Sequence, residues 1–290
     1  MPYTHPEYLT STNDLAAALK AHPDNLVILD ATIHLVPAEK GYKAISGKED
    51  YNKGHIPGAI FMDLMANFAD KESRFNFMMP SDAHLQESYR ALGINNASRV
   101  VIYATGHPMW ATRAWWMLHS LGHKNVSVLD GGFAKWAAEG QAISTDTPQS
   151  TQGDFTPNRN EDRWADKAQV VAAIEDGDVC TINALSPDVY SGEAKMSYGR
   201  KGHITNSINV FYDDVLNDGC FRSAEELTQL FKAKGTLDKP RTITYCGGGI
   251  SATIDALALA LIGYENVAVY DGSMGEWAAD ETLPLVLGQS

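Results

Sequence analysis

Apolar positions along this chain fall into two rhythms. Short unbroken runs such as Leu26-Val-Ile-Leu29, Val100-Val-Ile-Tyr103, Val126-Ser-Val-Leu129, Val179-Cys-Thr-Ile182, Thr242-Ile-Thr-Tyr245 and Val267-Ala-Val-Tyr270 read as strands buried on both faces. Between them the pattern predicts helices over 12–21, 82–92, 110–121, 168–174, 224–234 and 252–262. Ser223-Ala-Glu-Glu226 is a capping-box pattern that sets the start of the fifth. Strands alternating with helices require a parallel sheet covered on both faces, so the expected class is α/β.

The pattern also repeats. Val100-Val-Ile-Tyr103, a loop, Ala111-Thr112 and a helix lead to Asn125-Val-Ser-Val-Leu-Asp130-Gly131 and on to Trp136. Thr242-Ile-Thr-Tyr245, a loop, Ala252-Thr253 and a helix lead to Asn266-Val-Ala-Val-Tyr-Asp271-Gly272 and on to Trp277. Lys53-Gly-His55-Ile56 is answered by Lys201-Gly-His203-Ile204, and Asp30-Ala31 by Asn183-Ala184. This period is longer than that of a solenoid, so the chain reads as a duplicated domain. The polar, turn-rich stretch 141–163 is the expected linker between domains at 1–140 and 164–290.

Composition narrows the field. A net charge of −13 opposes binding to nucleic acid or to anionic membrane surfaces. Met1-Pro-Tyr-Thr-His-Pro-Glu7 lacks a signal-peptide pattern, and no apolar run is long enough to span a bilayer. The three cysteines form no C-x-x-C pair and no disulfide framework, so a reducing cytoplasm is expected.

The chemistry concentrates in Tyr245-Cys246-Gly-Gly-Gly-Ile-Ser251, between a strand and a helix. Glycines at 247, 248 and 249 let successive backbone N–H groups turn inward, and the following helix adds its unbonded first-turn amides. Gly247 to Ser251 contains no charged side chain, so backbone alone would hold an anion there. The natural anion is the Cys246 sulfur, because a helix N-terminus favours the thiolate. Gly247, Gly248, Gly249, Ile250 and Ser251 are therefore the expected cradle and Cys246 the expected nucleophile. At the matching point the first half has Ala104, followed by Thr-Gly-His107-Pro108-Met-Trp110, and it has no thiol there to use.

Duplicated halves, Gly-His-Ile after the first strand, and Cys246-Gly-Gly-Gly-Ile-Ser251 opening a helix resemble the two-domain rhodanese sulfurtransferases over essentially the whole chain. So do Ala111-Thr-Arg113-Ala-Trp115-Trp116, Leu129-Asp-Gly-Gly-Phe133 and Asp271-Gly-Ser273 with Trp277. The resemblance implies two rhodanese-like domains, the second catalytic. It implies a persulfide formed on Cys246 from a small sulfur donor and handed to a thiophilic acceptor, such as cyanide, a small thiol or a protein thiol. Neither metal nor organic cofactor is implied. Members using thiosulfate usually carry basic residues after the cysteine, where this chain has Gly247 and Gly248. A Cys-Gly-x-Gly loop is instead similar to the mercaptopyruvate sulfurtransferases. Their usual serine is Gly248 here, their two substrate arginines fall at Val189 and Met196, and His55 matches their histidine. Arg200, Lys195, His55 and Trp110 are the resulting candidates for substrate binding, with 3-mercaptopyruvate favoured over thiosulfate.

Two other classes compete with a small-donor enzyme. A sulfur-relay protein would keep the same loop with little turnover of small donors, and the absent arginines make it the alternative reading. A phosphatase-like loop needs Cys-x₅-Arg, and Ala252 stands where the arginine would be. His119 and His123 have the spacing of a metal pair, but with Gly122 between them and no third ligand they read as surface histidines. His203 reads as structural, Trp115 and Trp116 as core, Cys180 as inert packing, and Cys220 as a loop thiol without an activating neighbour.

Overall fold

The computed structural model describes residues 1–21, 23–38 and 41–288. Two five-stranded parallel sheets form its framework. The first contains β1 (Leu9–Thr10), β2 (Leu26–Asp30), β3 (Ile60–Phe61), β4 (Arg99–Tyr103) and β5 (Val126–Leu129), in the order β1-β5-β4-β2-β3. The second contains β6 (Trp164–Ala165), β7 (Val179–Asn183), β8 (Ile208–Asn209), β9 (Arg241–Tyr245) and β10 (Val267–Tyr270), in the order β6-β10-β9-β7-β8. The order repeats strand for strand, as the internal sequence repeat requires. Each central strand, β4 and β9, is buried over its last four residues, which accounts for the unbroken apolar runs.

The six expected helices are present at Thr12–Ala21, Asp82–Ala91, Met109–Ser120, Lys167–Ala173, Ala224–Ala233 and Ala252–Leu261. Ser223 and Glu226 close the capping box, each side chain bonding the other's backbone N–H. Two helices are buried almost all round, Met109–Ser120 and Ala252–Leu261. A helix apolar on every side needs cover on every side. Each packs on its own sheet and also on the other helix, where Thr112 Oγ1 and Thr253 Oγ1 meet at 2.7 Å. These threonines occupy matching positions of the repeat, so the contact lies where the halves are related to each other.

Residues 141–160 carry no helix and are strapped to the first half. Gly153 N donates to Arg90 O, Asn158 N to Leu121 O, and Phe155 is buried. His119 and His123 depart from the sequence expectation, because neither is a surface residue. His123 is buried with its Nε2 2.9 Å from Ser98 O, and His119 stacks on Trp115 at 4.6 Å. Burial, then the nearby Arg163 charge, pushes His119 down to about 4. The two rings have separate environments, and among the described residues no group of three metal-ligating side chains occurs.

Candidate active site

Strand β9 delivers Cys246 to the point where the sheet ends and the Ala252–Leu261 helix begins. The cysteine is buried, as are Gly247, Gly249, Ile250 and Ser251, while Gly248 is partly open. The loop is tied from behind by Ser273. Its Oγ accepts from Cys246 N at 3.1 Å and from Gly249 N at 3.0 Å, and donates to Tyr270 O at 2.7 Å. Met274 N and Gly275 N then donate to Cys246 O and Gly247 O. Among the described residues, the amides of Gly247, Gly248, Ile250 and Ser251 are left without an acceptor. Four unbonded N–H groups beside a buried sulfur form a cradle suited to negative charge.

Only glycine fits at 249. Its φ is +70°, and a Cβ there would lie 2.7 Å from Asp271 O and 2.9 Å from Asp271 Oδ1. A Cβ on Gly247 would overlap the Tyr198 ring, whereas at Gly248 the nearest atom is Asn76 O at 4.0 Å. Beside Asn76 and Phe77 opens a cleft of about 440 Å³, lined also by Tyr42, Lys43, Met65 and Lys71.

The first half reaches into this loop. Arg113, fully buried, donates through Nη1 to Gly249 O at 3.0 Å and Asp271 Oδ1 at 2.6 Å, and through Nη2 to Phe77 O at 2.6 Å. Asp271 Oδ2 accepts in turn from Met79 N at 2.7 Å. The charge of Arg113 is thereby balanced and both its terminal nitrogens are bonded to protein oxygens, so it holds the loop in place.

The loop residues foreseen from the sequence thus come together around Cys246, but the substrate candidates do not all follow. Arg200 is a correction. Its guanidinium donates to the carbonyls of Ala278, Leu283, Trp277 and Asp280, so it closes the end of the Ser273–Trp277 helix and is not available to a substrate. Lys195 is exposed, on the stretch that leads to Tyr198. Trp110 is buried on the helix that carries Arg113, with its ring 5.2 Å from Phe77 of the cleft wall. His55 is fully buried, stacked on Tyr51 at 3.9 Å with Nδ1 2.8 Å from Tyr51 O, and none of its described contacts involves the Cys246 loop. His203 repeats this arrangement on Tyr190, at 3.7 Å and 2.9 Å. Val189 and Met196 border a small enclosed space together with Tyr198 and Met274.

Three residues of the site escaped the sequence reading. Ser273 was visible only as part of a motif, although the repeat sets it opposite Gly132 and so marks it as a difference between the halves. Tyr198 carries no motif. Asp255 lies one turn into the helix, fully buried with neither carboxylate oxygen bonded. Burial first, and then the charge on Cys246, pushes it well above the usual carboxylate range. The remaining thiols lie elsewhere. Cys180 packs in β7, raised by burial, and Cys220 is half-buried against Asp130 and Gly131 of the first half, raised by burial and by Asp130.

Comparison with known proteins agrees with this geometry. The rhodanese-like domain family matches residues 12–139 and again 166–280. The 3-mercaptopyruvate sulfurtransferase of Escherichia coli K12 is 31% identical over 272 residues, spanning 92% of this chain and 95% of that protein. The thiosulfate sulfurtransferase of Gallus gallus is 32% identical over 256 residues, 87% of this chain and 86% of that one. Among solved structures, a crystal structure of the Escherichia coli 3-mercaptopyruvate enzyme superposes with a TM-score of 0.81 at 28% identity, covering 92% of this chain and 98% of that one.

Proposed function

The chain belongs to the rhodanese family, and from that premise we propose that it is a sulfurtransferase working through a persulfide on Cys246. The observation that carries the reading is the buried Cys246 thiol set among four backbone amides that no protein group accepts from. The Cys246 thiolate attacks the sulfur of a donor, forming an S–S bond as the donor's bond to that sulfur breaks. The leaving electron pair stays on the donor remnant, which is sulfite from thiosulfate or the enolate of pyruvate, protonated by water, from 3-mercaptopyruvate. The resulting Cys246 persulfide rests on the free amides, which stabilise its negative outer sulfur as an oxyanion hole stabilises oxygen. A thiophilic acceptor, cyanide or a thiol of a small molecule or protein, then attacks the outer sulfur and the Cys246 thiolate leaves. All steps exchange nucleophiles at sulfur, and none draws on a metal or an organic cofactor.

The donor best served is 3-mercaptopyruvate. Arg113 and Arg200 are committed to protein carbonyls and Asp271, so neither offers a compact dianion a bidentate partner, and the cations left on the adjoining cleft wall are the single-point charges of Lys43 and Lys71. The halves divide the work at the boundaries read from the sequence, with 164–290 catalytic, 1–140 a non-catalytic partner that positions the loop through Arg113, and 141–163 the connection. A reducing compartment such as the cytoplasm suits three cysteines that are all unpaired. No helix among the described residues is long and apolar enough to cross a membrane.

The test is the intact mass of the protein after incubation with 3-mercaptopyruvate or with thiosulfate, followed by cyanide and a thiocyanate assay. Gain of one sulfur atom, stronger with 3-mercaptopyruvate and removed by cyanide, is the expected result. Loading by neither donor, with loading by a persulfide-bearing protein, would replace the reading with a relay protein.

A further inference from the structure

Resting on the sulfur-transfer reading above, we propose that Tyr198 is a specificity-determining residue of the Cys246 site. Its phenol donates a hydrogen bond to the donor substrate over Gly247, and its ring narrows the mouth so that an α-keto thiol is preferred to thiosulfate.

Four observations converge on this residue. The Tyr198 ring occupies the space that any side chain at 247 would fill, so the ring lies directly on the first residue of the cradle. The residue is 37% exposed, and its phenol oxygen makes no hydrogen bond to the protein among the described residues, so the hydroxyl is open to a ligand while one edge of the ring lies on the loop. The residue is anchored on its C-terminal side. Ser197 Oγ donates to Gly199 O at 2.9 Å, Gly199 takes a φ of +118° against Ala278, and Arg200 is fastened by its four carbonyls. A phenol held from behind and unbonded in front is pre-organised for a ligand. Finally, Arg113 and Arg200 are committed to protein oxygens, so the side-chain donor lying directly on the loop at Gly247 is the neutral Tyr198 O–H, while the lysines Lys43 and Lys71 line the cleft beside Asn76 and Phe77. Burial and then the negative charge of Cys246 keep the Tyr198 hydroxyl protonated, and Tyr212 feels the same two influences together with Asp213. A neutral donor serves a carbonyl or a single carboxylate, whereas a compact dianion draws most of its binding from charge. The bulk of the ring acts in the same direction, because it stands over Gly247, next to Gly248, the partly open point of the loop.

The experiment compares full-length wild type, Tyr198→Phe and Tyr198→Ala in steady-state transfer from 3-mercaptopyruvate and from thiosulfate, with persulfide loading read by intact mass. Phenylalanine keeps the ring and removes the donor. It is expected to lower the preference for 3-mercaptopyruvate, as a ratio of kcat/KM values, by about tenfold, the loss falling on KM more than on kcat. Alanine opens the mouth as well and should reduce that ratio further. Equal losses with both donors, or a ratio within about twofold of wild type in the phenylalanine variant, would overturn the role assigned to Tyr198 while leaving sulfur transfer intact. A wild type that loads from neither donor would instead remove the reading on which the inference rests. Thermal unfolding of both variants separates a lost contact from a lost fold.

Discussion

The loop after Tyr245 and the loop after Tyr103 stand at the ends of matching strands, and different amides are bonded in each. In the first half Thr105 N is taken by Thr32 Oγ1 at 2.8 Å, Met109 N by His107 Nδ1 at 3.2 Å, and Pro108 has no N–H to offer. In the second half the position of Thr32 is Leu185, which has no oxygen, and the Gly247 amide is left free. The reverse exchange occurs behind the loops. Ser273, with a φ of 48°, replaces Gly132, with a φ of 57°, and its hydroxyl gathers the amides of Cys246 and Gly249. Ala104 N has no such oxygen. A non-glycine residue in left-handed backbone costs on the order of 1 kcal/mol, and here it carries the hydroxyl that shapes the cradle. The active loop differs from its twin less by added catalytic groups than by which of its amides are already bonded.

The two halves also exchange contacts that the repeat makes equivalent. Met79 N donates to Asp271 as Phe221 N donates to Asp130, each crossing from one half to the other. Arg113 breaks this equivalence, because the matching position in the second half is Ile254. The asymmetry means that the half without a thiol holds the half that has one.

Substitutions can press on this comparison. Cys246→Ser should abolish cyanide-removable sulfur loading and leave the thermal midpoint nearly unchanged, as intact mass and calorimetry would register. Arg113→Ala leaves Asp271 buried without its partner and should cost about 3–5 kcal/mol of stability, with transfer falling as well. Urea unfolding measures the first, and an unchanged midpoint would show that the halves do not depend on this pair. Ser273→Ala removes the acceptor of two amides and keeps the backbone strain, a loss of about 2 kcal/mol, whereas Ser273→Gly relieves the strain and should lie closer to wild type in stability. Both should lower kcat/KM by about tenfold or more, since the cradle loses its tie. The smallest effect is expected from Leu185→Thr, which offers Gly247 N the oxygen that Thr32 offers Thr105 N. Transfer should fall about fivefold, in proportion to one amide withdrawn from four.

The layout of the fold was legible because β4 and β9 are covered on both faces and therefore lack polar interruptions, and because the repeat could be read twice. Cys246 and its glycines were legible for a local reason, since a loop of this kind is contained in consecutive residues. What lay hidden depends on contacts across the chain. Arg113 and Asp271 are 158 positions apart, and no pattern along the sequence signals that a guanidinium will be balanced there. Arg200 misled for the same reason, because a basic residue near the site looks identical in sequence whether it faces a substrate or four carbonyls. His55 and His203 share one buried arrangement, and only the stacked tyrosines beside them reveal it. His119 and His123 looked exposed beside Gly122, yet the rings of Tyr8 and Trp115 cover the first, and Ser98 and the strap residue Phe155 the second.

The most direct measurement is made on Ala104→Cys, which supplies the first loop with the thiol it lacks and leaves its amides as they are. The variant is incubated with 3-mercaptopyruvate, digested, and the added sulfur located by peptide mass. The account predicts sulfur on Cys246 and none on the introduced thiol, because the loop around it has the Thr105 and Met109 amides already bonded and a proline where the active loop offers the Ile250 N–H. Sulfur on the introduced thiol at a comparable rate, or its absence from Cys246, would contradict it.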